Sequence, residues 1–266
     1  MGSKLVLITG ASSGIGEATA KLYAAKGAQV LLLARNAARL ETVAGAIRRA
    51  GGTARSYPGD LADAAATAET ARRIEREAGI PDIVINNAGA GRWLPLLDTT
   101  PEEARAMMAV PYFAAFDLTR AFLPDMVARG SGGIVFISSP ASYIAWPKAS
   151  AYIAARRAVT GLADSLRSEL KGAGLKVTLV VLGTVETPYW QHNPGSRENM
   201  PKTDPRLLPV LTPEQAAEAI VAGAETGKPL VVRPAIYRML FILNTLLPRL
   251  VASQLRRAMP KTRTRA

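Results

Sequence analysis

Short, nearly unbroken apolar runs alternate with longer mixed stretches along the chain. The runs are Leu5–Ile8, Gln29–Leu33, Asp82–Asn86, Gly133–Ser138, Leu175–Leu182 and Leu230–Val232, and the mixed stretch Thr53–Tyr57 reads as a short third strand. Runs of this length and composition predict strands covered on both faces, as in a parallel sheet. The stretches between them predict helices at about Gly14–Lys26, Asn36–Ala50, Ala62–Ala78, Pro101–Arg129, Ser150–Lys171 and onward from Thr212. Punctuation supports the spans. Asn36 caps the second helix and Gly51-Gly52 stops it, while Thr212-Pro213-Glu214 supplies a cap, a first-turn proline and a first-turn acid. Alternation of this kind predicts an α/β fold: a doubly wound parallel sheet of seven strands with helices on both faces. Right-handed crossovers place its switch point beside the first strand.

Two segments break the rhythm. Residues 188–211 hold five prolines and no period, which suits a lid or binding loop. Beyond the last strand, Ile236 to Leu250 is apolar but interrupted by Pro248. The chain therefore divides into residues 1–233, with loop 188–211 included, an amphipathic helical extension at 234–258, and a basic tail at 259–266 expected to be disordered.

The first strand runs into Thr9-Gly10-Ala11-Ser12-Ser13-Gly14-Ile15-Gly16. Gly10 lets the chain leave the strand with unusual backbone angles. Gly14 removes a Cβ where a phosphate would approach, and Gly16 allows close helix–strand packing. The amides opening the next helix then face a position suited to a pyrophosphate.

Composition narrows the possibilities. With no cysteine and one histidine, His192, the chain has neither a disulfide framework nor a thiolate or histidine metal site. His192, alone in a polar loop, reads as a surface residue. The start offers no room for a secretory signal and lacks the myristoylation pattern at Val6, so the cytoplasm is expected. The net charge of +12 is uneven: no acid follows Glu225, whereas Lys228, Arg233, Arg238, Arg249, Arg256, Arg257, Lys261, Arg263 and Arg265 do. Such a tail suits an anionic surface. No basic face is interleaved with aromatics, so nucleic acid is not expected as a partner.

The glycine turn, Asn86-Asn87-Ala88-Gly89, Ser139 and Tyr152, in this order, resemble the short-chain dehydrogenase/reductase family over roughly residues 4–232. The resemblance implies a nicotinamide-dependent oxidoreductase on a seven-stranded Rossmann sheet, commonly a homodimer or homotetramer. It implies cofactor contacts at Gly10, Ser12, Ser13, Gly14, Ile15, Gly16, Asp60, Leu61, Asn87, Ala88, Gly89, Gly183, Val185 and Thr187. Where an acid would accept from adenosine ribose hydroxyls, this chain has Ala34-Arg35, with Arg39 a turn later. A guanidinium there suits a 2′-phosphate, favouring NADP(H) over NAD(H).

The implied chemistry centres on Tyr152 as acid/base, with Ser139 holding the substrate oxygen thirteen residues earlier. A free phenol ionises near pH ~10, so it needs a neighbouring cation to act as a base at neutral pH. The family supplies a lysine four residues on; this chain has Arg156. Arg156 shares the helix face of Tyr152 and supplies charge, but arginine stays protonated and passes no proton. Counting back from Leu123-Pro124, the family's relay asparagine falls on Pro111, which keeps a kink but offers no side-chain polar atom. Two readings follow: an active reductase with an altered relay, or a catalytically impaired NADP(H)-binding regulatory or scaffolding protein.

At the substrate end, Trp93, Tyr143, Trp146, Tyr189 and Trp190 fall on the segments that rim the family's pocket. They suit a hydrophobic ketone, steroid or acyl chain. Arg92 and Lys148 are the basic residues placed to meet a charged substrate head. The segment after Pro234 is expected to form two helices that roof the pocket, rest on an anionic membrane or pack on a partner subunit, since its uncharged part is shorter than the ~20 residues a span needs.

Overall fold

A computed structural model describes residues 3–201 and 204–259. Seven parallel strands form one sheet in the order β3-β2-β1-β4-β5-β6-β7. They are β1 (Leu5–Thr9), β2 (Gln29–Ala34), β3 (Thr53–Pro58), β4 (Ile83–Asn86), β5 (Gly132–Ser138), β6 (Leu175–Leu182) and β7 (Leu230–Arg233). The order reverses beside β1, where β2 lies on one side and β4 on the other.

The helices lie on both faces: α1 (Gly14–Ala25), α2 (Ala37–Arg49), α3 (Ala64–Ala78), α4 (Pro101–Met108), α5 (Ala114–Arg129), α6 (Ser150–Glu169), the short α7 (Tyr189–His192) and α8 (Ser196–Asn199), α9 (Pro213–Thr226), α10 (Ile236–Leu246) and α11 (Pro248–Ala258). Strand side chains alternate between faces, so an unbroken apolar strand feeds two cores. Val6, Ile8, Val30 and Leu32 pack with Ala20, Tyr23, Leu40 and Ile220 on one side. Leu7, Leu31, Leu33 and Val84 pack with Ile74, Leu118, Phe122 and Val159 on the other. Each such side chain contributes roughly 1.5–3 kcal/mol by leaving water.

Three boundaries differ from the sequence reading. α3 begins at Ala64, because the Asp63 carboxylate accepts from the amides of Ala65 (2.8 Å) and Ala66 (3.1 Å) and caps it there. The long helix after Pro101 is two helices joined by a π turn at Ala109–Phe113, and buried Pro111 sits inside that turn. Pro111 has no N–H for a helical bond, so a wider turn there removes the conflict. Segment 188–211 is more ordered than expected: α7 and α8 lie within it, and Val185 bridges to Leu211. The C-terminal pair breaks at Pro248, as the sequence predicts. The tail from residue 260 lies outside the described residues.

Candidate active site

The C-terminal ends of β1 and β4 are tied together by side chains. The Thr9 hydroxyl accepts from the amides of Asn87 (2.9 Å) and Ala88 (2.8 Å) and donates to the Ile85 carbonyl (3.3 Å). The Asn87 amide returns a bond to the Thr9 carbonyl at 2.8 Å. Both ends open into a cavity of about 450 Å³ lined by Gly10, Ser12, Ser13, Gly14, Ile15, Arg35, Asp60, Leu61, Asn87, Ala88, Gly89 and Thr187, all singled out from the sequence. Arg39 and His192 line it as well; the first was noted for charge, whereas the second was read as a surface residue.

The three turn glycines have distinct reasons. Gly10 has φ +66°, and its amide donates to Leu33 at 2.8 Å. Gly16 does not line the cavity: a Cβ there would stand 2.2 Å from the Gly10 carbonyl oxygen, so it acts purely by packing. Gly14, on the cavity lining, is held by its own backbone and a close neighbour. A Cβ there would stand 3.1 Å from the Thr187 side chain, and φ +56° is what requires glycine. Ser13 precedes α1 without a side-chain cap bond.

A second cavity of about 170 Å³ adjoins the first, sharing Ile15, Asn87, Gly89, Thr187 and Tyr189. Ser139, Tyr152, Arg156, Gly183 and Val185 line it. Ser138 and Ser139 both reach it, but the Ser138 hydroxyl donates to the Arg156 carbonyl at 3.3 Å. The Ser139 oxygen accepts from the Ala141 amide at 3.3 Å, a bond that leaves its proton unused. The buried Tyr152 ring lies between the Trp93 ring, 5.8 Å away, and the Arg156 guanidinium, 5.0 Å from its centroid.

Arg156 is buried. Nη1 donates to the Ile137 carbonyl at 3.4 Å, Nε has no partner, and Gly89 is close enough that a Cβ would stand 2.9 Å from Nη2. Burial works against its charge, but the facing phenols of Tyr152 and Tyr189 more than offset that, so its pKa rises above the ordinary arginine value. Tyr189 is held protonated: burial and the charge that Tyr152 would carry raise its pKa well above an ordinary phenol, and nearby Arg156 only partly opposes this. Its hydroxyl donates to the Gly91 carbonyl.

Trp93, Trp146, Tyr189 and Trp190 line the smaller cavity, as expected. Tyr143 does not; it stacks on Phe241 at 4.4 Å, and Tyr237 of α10 reaches the cavity instead. Arg92 turns away: Nη1 lies 2.6 Å from Glu103 and Nε donates to Pro194 at 3.0 Å. Lys148 is not on the lining, which leaves Arg156 as its one charged side chain among the described residues.

Three polar residues close α7 and α8 over the loop that carries Trp93. Asn193 accepts from Gly91 N (3.2 Å), Ser196 accepts from Trp93 N (3.2 Å), and Asn199 donates to Trp93 O (2.9 Å). No motif marked them. Their only signal was polar side chains in a segment otherwise rich in proline.

The described residues hold no cluster of three or more metal-ligating side chains, and none of their helices is long and apolar enough to cross a membrane. Residues 4–197 match the family described as short chain dehydrogenase. A Mycobacterium tuberculosis protein named "Probable oxidoreductase EphD" is 36% identical over 96% of this chain. The chain spans about half of that relative's length, 45%. A short-chain dehydrogenase from Sphingobium yanoikuyae in complex with NADPH superposes with a TM-score of 0.80 at 27% identity, covering 98% of this chain and 99% of the other. A metagenomic short-chain oxidoreductase in complex with NADP gives a TM-score of 0.69 at 33% identity, covering 83% and 90%.

Proposed function

The chain belongs to the short-chain dehydrogenase family, and on that premise we propose that it is an NADP(H)-dependent oxidoreductase interconverting a hydrophobic ketone and its secondary alcohol. The observation that carries the reading is the buried Tyr152 ring, flanked by a permanent cation, in an aromatic-walled cavity that opens into the glycine-rimmed one.

The larger cavity fits a phosphorylated dinucleotide. Gly10 and Gly14 take the left-handed backbone angles that shape its floor, and the first amides of α1 meet no side-chain cap. Arg35 and Arg39 line the cavity too, and the end of β2 reads Ala34-Arg35 where an acid would repel a 2′-phosphate. The NADP and NADPH complexes among the structural neighbours agree with this preference. Residues of the smaller cavity, Gly183, Val185 and Thr187, would hold the nicotinamide end.

When bound, NADPH supplies the hydride. Ser139 donates a hydrogen bond to the substrate carbonyl oxygen, orienting it. The Tyr152 hydroxyl gives that oxygen its proton in reduction and takes it back in oxidation. Arg156 faces the negative charge that develops on the phenol oxygen but keeps its own protons, so Tyr152 is reprotonated from solvent. The aromatic wall, with no charge besides Arg156, suits an apolar substrate.

The test is NADPH oxidation with a panel of apolar ketones, comparing wild type with Tyr152→Phe. Turnover should fall by at least ~100-fold while NADPH affinity stays within about twofold. If the wild type oxidises nothing yet binds NADPH tightly, the enzyme reading fails in favour of an impaired cofactor-binding protein. Pro111 and Arg156 are the residues that argue for that second reading.

A further inference from the structure

α10 is apolar on two faces. Its inner face carries Tyr237, which lines the smaller cavity, and Phe241, which stacks on Tyr143. On the outer face Met239, Ile242, Leu243 and Leu246 recur at the i, i+3, i+4, i+7 spacing of one helical stripe. That stripe stands in solvent, with Met239 59%, Ile242 62% and Leu246 71% exposed, and Leu247 and Leu250 extend it toward α11. Contiguous apolar surface of this kind marks an interaction site.

The flanking charges are of one sign. Arg238, Arg249, Arg256 and Arg257 belong to α10 and α11, neither helix carries an acid, and no acid follows Glu225 in the chain. Among the described residues none of these arginines enters an ion pair. At ~1.5 Å per residue each helix is about 16 Å long, too short to cross a bilayer and well sized to lie along one. A partner with an apolar interior and an anionic rim matches both features at once.

We propose that α10 and α11 lay this face into the headgroup layer of an anionic lipid bilayer. Docking goes beyond the catalytic reading and does not depend on it. Where both hold, α10 joins the two: its inner face lines the smaller cavity through Tyr237 and its outer face meets the lipid. Each arginine at the surface adds roughly fivefold to the partition coefficient on anionic lipid.

The experiment is flotation of the full 266-residue chain with vesicles of phosphatidylcholine alone or mixed with phosphatidylglycerol. The wild type should float with the mixed vesicles, and weakly or not at all with neutral ones. Ile242→Glu with Leu246→Glu should abolish flotation while unfolding temperature and NADPH affinity are kept. Arg249→Gln, Arg256→Gln and Arg257→Gln together should cut binding to mixed vesicles about 100-fold. A wild type that never floats overturns the proposal, as does a double variant that floats undiminished. So does a wild type that fails to float but dimerises through this face, judged by sedimentation of wild type against the double variant. Should the double variant not fold, Leu246→Cys gives the chain its one thiol for a polarity-sensitive dye. A blue shift on adding mixed vesicles supports docking, and unchanged emission overturns it.

Discussion

Thr9→Val tests whether the seam between β1 and β4 holds the cofactor cavity in shape. The exchange keeps the volume and the β-branch and replaces the hydroxyl by a methyl. Two amides, Asn87 N and Ala88 N, lose their acceptor, and Ile85 O loses a donor. An unsatisfied buried amide costs about 1–3 kcal/mol. Both amides are only partly buried, so the lower end applies, about 1–1.5 kcal/mol each. The added methyl returns up to ~0.8 kcal/mol. The net is a loss of about 2 kcal/mol, which at ~2–4 °C per kcal/mol lowers Tm by roughly 4–8 °C. Asn87, Ala88 and Gly89 line the larger cavity, so loosening them should also weaken NADPH binding by about tenfold. Thr9→Ser keeps the acceptor and should bind NADPH like wild type. Calorimetry and a fluorescence titration of NADPH read both effects. Equal Tm and affinity for Thr9→Val and wild type would refute the idea that this hydroxyl organises the site.

Three further outcomes are expected. Arg35→Ala should weaken NADPH binding by roughly 10-fold, the loss of one charge-assisted contact, with little change for NADH; an unchanged NADPH titration would assign the 2′-phosphate elsewhere. Arg156→Lys should raise turnover, since an ammonium can release a proton and a guanidinium cannot; a drop in kcat would show that the arginine is built into the site in its own right. In alkali the stability should be flat up to the unfolded tyrosine pKa near ~10 and then fall, because burial pushes Tyr237 up to about 12 and the folded state holds a proton that the unfolded chain has released. The slope is at most ~1.4 kcal/mol per pH unit for each such tyrosine, and Tyr237→Phe should flatten its share in a series of thermal melts.

The sheet was legible because its central strands are largely apolar, whereas edge strand β3 (Thr53–Pro58) carries Arg55 and Ser56. A strand such as Val30-Leu31-Leu32-Leu33 must be covered twice, and only a parallel sheet between helices does that. The cavity-lining residues at the glycine turn and at Asn87–Gly89 were legible because they sit where strands end beside the switch point. What escaped was side-chain direction. Arg92 and Trp93 are neighbours in sequence, yet one is drawn out by Glu103 and the other turns in against Tyr152. Tyr143 and Tyr237 exchange the expected role because Phe241, 98 residues on from Tyr143, claims its ring. The bonds of Asn193, Ser196 and Asn199 join segments roughly a hundred residues apart, and nothing local encodes them.

The cation at position 156 sharpens the choice between an active and an impaired protein. Among the described residues the smaller cavity is lined by this one charge and no carboxylate. A carbonyl, an aromatic face and two facing phenols soften its burial, but Nε is left without a partner. Buried charge so incompletely matched is costly, because a desolvated guanidinium N–H without an acceptor has given up its hydrogen bond to water. A cavity with no use for negative charge would therefore be more stable with methionine there. The arginine becomes an advantage only when an anion shares the cavity. On the proposed mechanism, proton transfer at Tyr152 would create one on the phenol facing the guanidinium, and a bound dinucleotide would bring others nearby. By this reasoning Arg156→Met should stabilise the free protein while removing turnover, two effects of opposite sign that a purely structural arginine would not produce.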